Sequence, residues 1–217
     1  MSDHGGLVQK TSIRFTKTGD AAYHSHHDLI RFWERAVRRA GLPVRQTQGF
    51  NPHPRMVFLH ALGVGTASLH EEVEFEFYRR VPEEEILVRL REACGRTLGV
   101  VGTTALPPVK KGRTAAAFEY EISGWTDGAL AQLPVAIAEV MALEALPMRR
   151  GRPGEATTVD IRPYVEDLAL SDNSVMLTVV NSLAGTARPD EICRVLAEKC
   201  GMDVSFLCIL KTGMEIR

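Results

Sequence analysis

One segment of the chain, residues 24–55, carries more side chains capable of chemistry than folding requires. It holds four of the protein's seven histidines and only two acids, Asp28 and Glu34. It also holds six arginines, which are Arg31, Arg35, Arg38, Arg39, Arg45 and Arg55. Guanidinium groups bind phosphate and carboxylate oxygens through a rigid fork of donors. The local excess of positive charge therefore predicts that an anion docks here, although the whole chain has a net charge of -1.

A helix over residues 26–40 is predicted to position three of these arginines. The Ser25 hydroxyl can accept a hydrogen bond from the first turn, Asp28 suits the positive end of the helix dipole, and Gly41 ends the helix. One face is apolar, with Leu29, Trp33, Ala36, Val37 and Ala40 at helical spacing. The opposite face carries Arg31, Arg35 and Arg38. Asp28 and Glu34 cannot neutralise all three, so the row is predicted to hold phosphates, with a solvated outer face as the alternative.

The sequence GFNPHP over residues 49–54 predicts a rigid loop after this helix. Its two prolines remove backbone donors and restrict the residues before them to extended geometry. Arg45 and Arg55 flank the loop, and Phe50 is the aromatic side chain best placed to stack on a base. The predicted binding residues of the segment are Ser25, His26, Asp28, Arg31, Arg35, Arg38, Arg45, Phe50, Asn51, His53 and Arg55.

His26, Asp28 and His53 are the candidate catalytic residues. A carboxylate beside an imidazole fixes its tautomer and suits it to general acid–base catalysis. The alternative is a capping and hydrogen-bonding cluster that ties the loop to the helix. A metal site built from these histidines lacks a diagnostic ligand spacing, so no metal and no cofactor are predicted. The phosphate-cradling, dinucleotide-binding and serine-hydrolase motifs are all absent from the sequence.

Composition predicts an ordinary soluble protein of the cytoplasm. Hydrophobic residues make up 45% and charged residues 24% of the 217 residues, which suits a globular chain with a real core. No apolar run approaches the ~20 residues that span a bilayer, and Met1–Gly6 lacks a signal pattern, so no membrane association is expected. Cys94, Cys193, Cys200 and Cys208 lack metal-site spacing and are predicted to be buried free thiols.

The alternation of predicted strands and helices points to an α+β fold with two tandem ferredoxin-like domains. Residues 7–105 follow the order βαββαβ, and residues 114–217 repeat it, each with an antiparallel sheet. The Pro-, Gly- and Lys-rich stretch 106–113 is the predicted connector. An arm at residues 149–155 interrupts the second unit. A single α+β domain with one continuous sheet is the alternative.

Several short motifs resemble the radical-SAM-linked proteins, a bacterial domain of unknown function. They are Arg14-Phe15-Thr16-Lys17-x-Gly19, Ser25-His26-His27-Asp28, Glu34-Arg35-Ala36, Arg38-Arg39-Ala40-Gly41-Leu42-Pro43 and Gly49-Phe50-Asn51-Pro52-His53-Pro54-Arg55. The resemblance covers residues 12–77, with thinner landmarks at 160–163 and 187–190. It adds Arg14 and Lys17 to the binding candidates. His27 stands where the family usually has Leu, and Gln46-Thr47 where it has Tyr-Ser, so His27 is a poor candidate for a shared role.

The resemblance implies a partnership, because family members occur beside or fused to a cobalamin-binding-type radical SAM protein. This chain has no C-x-x-x-C-x-x-C run to ligate a four-iron cluster, so the radical chemistry would belong to that partner. Tandem ferredoxin-like domains also look like those of some RNA-processing enzymes, an analogy of fold alone. The leading prediction is an accessory module that binds tRNA or rRNA for a radical SAM enzyme. The alternatives are an RNA-processing or nucleotide-modifying enzyme using His26, Asp28 and His53, and a protein-binding adaptor for the radical SAM partner.

Overall fold

The computed structural model describes residues 7–107, 113–152 and 154–217, and the chain divides between Thr114 and Ala115 into two compact units. The described residues form a mixed α+β fold with four α-helices and strands that pair in antiparallel fashion. The predicted connector, residues 106–113, falls partly on residues 108–112, which lie outside the described residues. The same holds for residue 153 of the predicted arm.

The first unit contains four strands and two helices. In chain order these are β1 (Gln9–Lys17), α1 (His26–Arg39), β2 (Met56–Phe58), β3 (Ala67–Phe77), α2 (Glu83–Cys94) and β4 (Gly99–Leu106). The strands lie in the order β2–β3–β1–β4, and each neighbouring pair is antiparallel. The residue pattern predicts this third strand from Glu71, whereas β3 begins at Ala67, and a register shift between Phe15 and Lys17 of β1 places Lys17 opposite Ser68.

Aromatic side chains join α1 to the sheet of the first unit. Trp33 is fully buried and meets the edge of Phe15, with ring centroids 5.1 Å apart, while Phe75 lies 5.8 Å from Trp33. Leu29 and Val37 are buried on the same helix face. The predicted apolar face of the helix therefore forms the core of this unit, which leaves the arginine face outside.

Alternation along β3 predicts Glu72, Glu74 and Glu76 on the outer face, and the structure differs from this prediction at Glu74. Glu74, at 2% exposure, is buried beside Lys10 and Arg113, and both cations form ion pairs with it. Glu71 is buried as well and accepts a hydrogen bond of 2.8 Å from Ser68 Oγ. Charged groups enter a protein interior only with such partners, and alternation along a strand cannot reveal them.

The second unit contains seven strands and two helices among its described residues. They are β5 (Ala115–Ser123), α3 (Asp127–Ala142), β6 (Pro147–Arg150), β7 (Thr157–Asp160), β8 (Val165–Ser171), β9 (Ser174–Ser182), β10 (Gly185–Thr186), α4 (Pro189–Lys199) and β11 (Cys208–Ile216). β5 lies between β9 and β11, while β8 and β10 both pair with β9. β6 and β7 form a separate two-stranded ribbon, which contains the predicted arm.

Two predictions for the second unit are corrected by the structure. The residue pattern predicts the last strand over 204–211, but β11 begins at Cys208, because Asp203 accepts a hydrogen bond from Ser205 N and starts a short 3-10 turn. The four cysteines were expected to be buried, yet Cys208 is exposed while Cys94, Cys193 and Cys200 are buried. Cys208 is the first residue of β11, and its side chain is exposed there. Hydropathy alone does not show this exposure.

Candidate functional site

The start of α1 is fixed by a reciprocal hydrogen-bonded cap between Ser25 and Asp28. Asp28 N donates to Ser25 Oγ at 3.3 Å, while Ser25 N and Ser25 Oγ donate to Asp28 Oδ2 at 3.1 and 2.6 Å. These hydrogen bonds from Ser25 lower the pKa of Asp28. The predicted cap is therefore present, and among the described residues the Asp28 carboxylate forms its hydrogen bonds with Ser25 and with neither His26 nor His53.

The GFNPHP loop is tied at its base by backbone pairing between two short extended segments. Thr47 N donates to His53 O at 2.7 Å, His53 N donates to Thr47 Oγ1 at 3.0 Å, and Arg55 N donates to Arg45 O at 2.7 Å. Residues 48–52 bulge from this base, with Asn51 exposed and Phe50 fully exposed at the loop tip. Phe50 thus offers a whole ring face to a ligand that reaches the loop.

Glu34 of α1 contacts the loop through the imidazole of His53. The distance from His53 Nδ1 to Glu34 Oε1 is 2.8 Å, and the His53 side chain remains 61% exposed. Sequence reasoning named His53 and missed Glu34 as its partner. The signal was present, because His26, Ile30 and Glu34 follow one another at intervals of four residues and therefore share a helix face.

A pocket of about 450 Å³ lies between this helix face, the end of the loop and β2. Its lining residues are His26, Ile30, Glu34, His53, Pro54, Met56, Phe58 and Ala61. The walls are mostly apolar, and the polar side chains are the two histidines and the glutamate. The structure thus brings together two of the three predicted catalytic candidates, His26 and His53, and replaces Asp28 with Glu34.

The imidazole of His26 packs edge-on against Phe58, with ring centroids 5.1 Å apart. Its Nδ1 is buried and has no hydrogen-bond partner among the described residues. Nε2 is not one of the buried polar atoms that lack a partner. A buried N–H without an acceptor is costly. The neutral ring therefore carries its proton on Nε2, which makes that atom a hydrogen-bond donor.

The arginine row, Arg31, Arg35 and Arg38, is exposed beside the pocket. Within the described part of the chain no hydrogen bond or ion pair joins these guanidiniums to another residue. Arg31 and Arg38 lie three and four residues from Glu34, so the row borders the face that lines the pocket. The predicted row is thus present as a surface feature. The charge of Arg31 acts on Asp28, where, after the hydrogen bonds from Ser25, it helps to lower the pKa of that carboxyl group.

The other predicted basic residues have different surroundings. Arg45 forms an ion pair of 2.7 Å with Glu76 of β3, and Arg55 lies 3.6 Å from the same carboxylate. Arg14 is exposed on β1. Lys17 is fully buried and donates to Ala22 O at 2.9 Å, so its predicted binding role is corrected to a structural one. Burial lowers the pKa of Lys17, and the charge of Glu71 opposes that shift.

Two further observations limit the chemistry of the described residues. No three histidine, cysteine or acidic side chains converge there as metal ligands. No described helix has the length and apolar character to cross a membrane. The arrangement offers an exposed arginine row, an exposed aromatic ring, and a pocket with a carboxylate–imidazole pair, which are the parts that nucleotide recognition or acid–base chemistry requires.

Comparisons with known proteins identify a family but no activity. Residues 10–189 match the model of a family described as an uncharacterized protein conserved in bacteria, DUF2344. No curated protein matches the sequence. A crystal structure titled as an unknown protein from Galdieria sulphuraria is 11% identical, covering 96% of this chain and 98% of that one, with a TM-score of 0.28.

Proposed function

Since this chain belongs to the uncharacterized bacterial family DUF2344, we propose a function from its own site: the protein binds RNA through α1 and the GFNPHP loop, as an accessory module of a radical SAM enzyme. The observation that carries the proposal is the exposed arginine row beside the pocket, with no acid of the described residues paired to it. Like charges at this spacing destabilise a helix by about 0.2–0.5 kcal/mol per pair. A ligand that removes this repulsion is the physical reason to expect an anion.

Repeated negative charge suits the row better than a single anion does. Arg31 and Arg35 are separated by about 6 Å along the helix axis, and Arg35 and Arg38 by about 4.5 Å. A nucleic-acid backbone presents successive phosphates to such a row. Unpaired RNA also exposes its bases, which proteins stack on aromatic rings and enclose in pockets, and Phe50 and the neighbouring pocket supply both.

A separate proposal concerns the fold of the two units. In the first unit the strand order β2–β3–β1–β4, with a helix after β1 and another after β3, is the order of a ferredoxin-like βαββαβ unit. In the second, β5, β8, β9 and β11 with α3 and α4 follow the same order once the β6–β7 ribbon is set aside. We propose that both units are ferredoxin-like. This likeness concerns architecture, and the function rests on the site.

Binding of a fluorescein-labelled, single-stranded RNA of mixed sequence, followed by fluorescence anisotropy, tests the proposal. The variant Arg31→Gln/Arg35→Gln/Arg38→Gln should lose most of the affinity. A matched control, Arg79→Gln/Arg80→Gln/Arg96→Gln, removes three exposed arginines outside α1 and should bind nearly as the wild type does. Equal losses in both variants would show that only net charge matters, and no loss in either would refute RNA binding at the row.

The radical SAM partner is proposed from the sequence resemblance, and it has its own test. The tagged protein should co-purify the radical SAM protein of the same bacterium together with RNA. If the pair survives nuclease treatment and is broken by the row variant, the arginines dock an acidic protein surface, and the adaptor alternative replaces the RNA proposal.

A second function, RNA processing by acid–base catalysis, is favoured by one observation, the contact of 2.8 Å between Glu34 and His53. A carboxylate on Nδ1 orients the ring so that Nε2 can take up a proton from a ribose hydroxyl. His53→Ala would then abolish RNA cleavage while leaving the affinity for RNA almost unchanged. Absence of any cleavage product with wild-type protein, on RNA that it binds, would rule this function out.

A further inference from the structure

The pocket beside the arginine row is built for a flat, mainly apolar group with hydrogen-bonding edges. Ile30, Met56 and Phe58 supply apolar wall, and the volume of about 450 Å³ falls in the range of small-molecule sites. Stacked aromatic and aliphatic contacts suit a nucleobase better than a ribose, which is polar on every side.

One end of the pocket offers an acceptor that already has a fixed position. Glu34 Oε1 accepts from His53, and no described residue donates to Oε2. An ionised carboxylate can only accept hydrogen bonds, and its two oxygens together have about four lone-pair sites. A ligand at this end must therefore present N–H or O–H groups, and two adjacent donors would use both oxygens.

The other end of the pocket offers a donor. His26 lies two helical turns before Glu34, about 12 Å along the axis, and we assign its ring proton to Nε2 because Nδ1 is buried without a partner. A ligand that contacts both Glu34 and His26 must then carry an acceptor beside its N–H groups, on a second edge.

We propose that this pocket selects an unpaired guanine base, an inference that rests on the RNA-binding function proposed above. Guanine presents N1–H and the N2 amino group side by side, to be accepted by Glu34, and it carries the O6 and N7 acceptors on the neighbouring edge, toward His26. Adenine presents an acceptor where guanine has N1–H, and uracil has no amino group. The arginine row holds the phosphates of the same strand while the base enters the pocket.

Fluorescence anisotropy with three labelled oligoribonucleotides tests this selection. One is oligouridine, one carries a single central guanosine, and one carries inosine at that place, which lacks only the N2 amino group. The guanosine oligonucleotide should bind about tenfold more tightly than the inosine one, since the lost hydrogen bond has a charged acceptor. Equal affinity of the guanosine and inosine oligonucleotides would overturn the proposal.

Two variants separate the pocket from the row. Glu34→Gln keeps an oxygen for His53 but presents an amide N–H₂ where guanine needs an acceptor, so the ratio of guanosine to oligouridine affinity should fall to about one. Ala61→Phe places a ring from an exposed position of the lining into the pocket and should have the same effect. A guanosine preference that survives in both variants would refute the site.

The outcomes also separate this inference from the proposed function. If oligouridine binds through the row and guanosine adds nothing, guanine selection is wrong and RNA binding stands. If no oligonucleotide binds at all, the proposed function fails, and the guanine pocket fails with it.

Discussion

Removing the arginine row should lower the salt dependence of RNA binding by an amount that follows from the contacts of each guanidinium. Arg31, Arg35 and Arg38 are exposed and have no acid bound to them among the described residues, so each can neutralise one phosphate. Arg45 and Arg55 share the Glu76 carboxylate, at 2.7 and 3.6 Å. Two cations and one anion leave a single net positive charge there. The perturbations to compare are therefore the triple glutamine variant of the row and the double variant Arg45→Gln/Arg55→Gln.

The expected magnitude comes from counterion release. Each phosphate neutralised on a single strand contributes about 0.7 to the slope of log K against log salt concentration. The row variant should lose about 2 from that slope, and the Arg45/Arg55 variant at most about 0.7. Between about 50 and about 200 mM salt, wild-type protein should accordingly lose about 20-fold more affinity than the row variant.

The assay is a set of anisotropy titrations of one labelled RNA at four or more salt concentrations, with circular dichroism to show that the variants remain folded. Glutamine is chosen because its helix propensity is close to that of arginine. Equal slopes for wild type and the row variant would refute the assignment of phosphates to α1. A slope that falls as far in the Arg45/Arg55 variant as in the row variant would show that Glu76 does not neutralise those arginines.

Three further measurements probe the structure around the site. Arg35→Gln should raise the free energy of unfolding by about 0.5–1 kcal/mol at low salt, because it removes the repulsion between Arg35 and the arginines at positions 31, 38 and 39. Urea denaturation measures this change. No gain in stability, or a gain that persists in high salt, would contradict it. Ser25→Ala should cost about 1 kcal/mol at neutral pH through loss of the cap. Ser25 lowers the pKa of Asp28 below its ordinary 3.8, so the carboxylate's share of this stabilisation is present above pH 3.8 and is lost as the pH falls through the lowered pKa. The difference in unfolding free energy between variant and wild type should therefore narrow in acid. A difference that stays constant or widens would contradict the cap. Iodoacetamide at pH 8 should label one thiol per native chain, that of Cys208, because the other three are buried and burial raises the pKa of Cys94 and of Cys193 to about 12. Peptide mass spectrometry identifies the labelled cysteine. Rapid labelling of Cys94 would show that the first unit opens.

The sequence by itself determined the parts of the site that depend on neighbours along the chain. Helical periodicity placed Trp33 in the core and Arg35 on the surface, and the spacing of Ser25 and Asp28 predicted the cap. The two prolines of the GFNPHP sequence predicted an irregular loop. These features follow from backbone geometry over a few residues, which side-chain type and spacing specify directly.

Only the tertiary structure decided which charges meet across distant segments. Glu34 rather than Asp28 contacts His53, Glu76 holds Arg45, and Lys17 is buried on the Ala22 carbonyl instead of facing a ligand. Such pairs depend on strand register and on where the loop returns to the helix. A shift of one residue in a strand moves its side chains to the opposite face, so composition alone cannot tell a free arginine from a neutralised one.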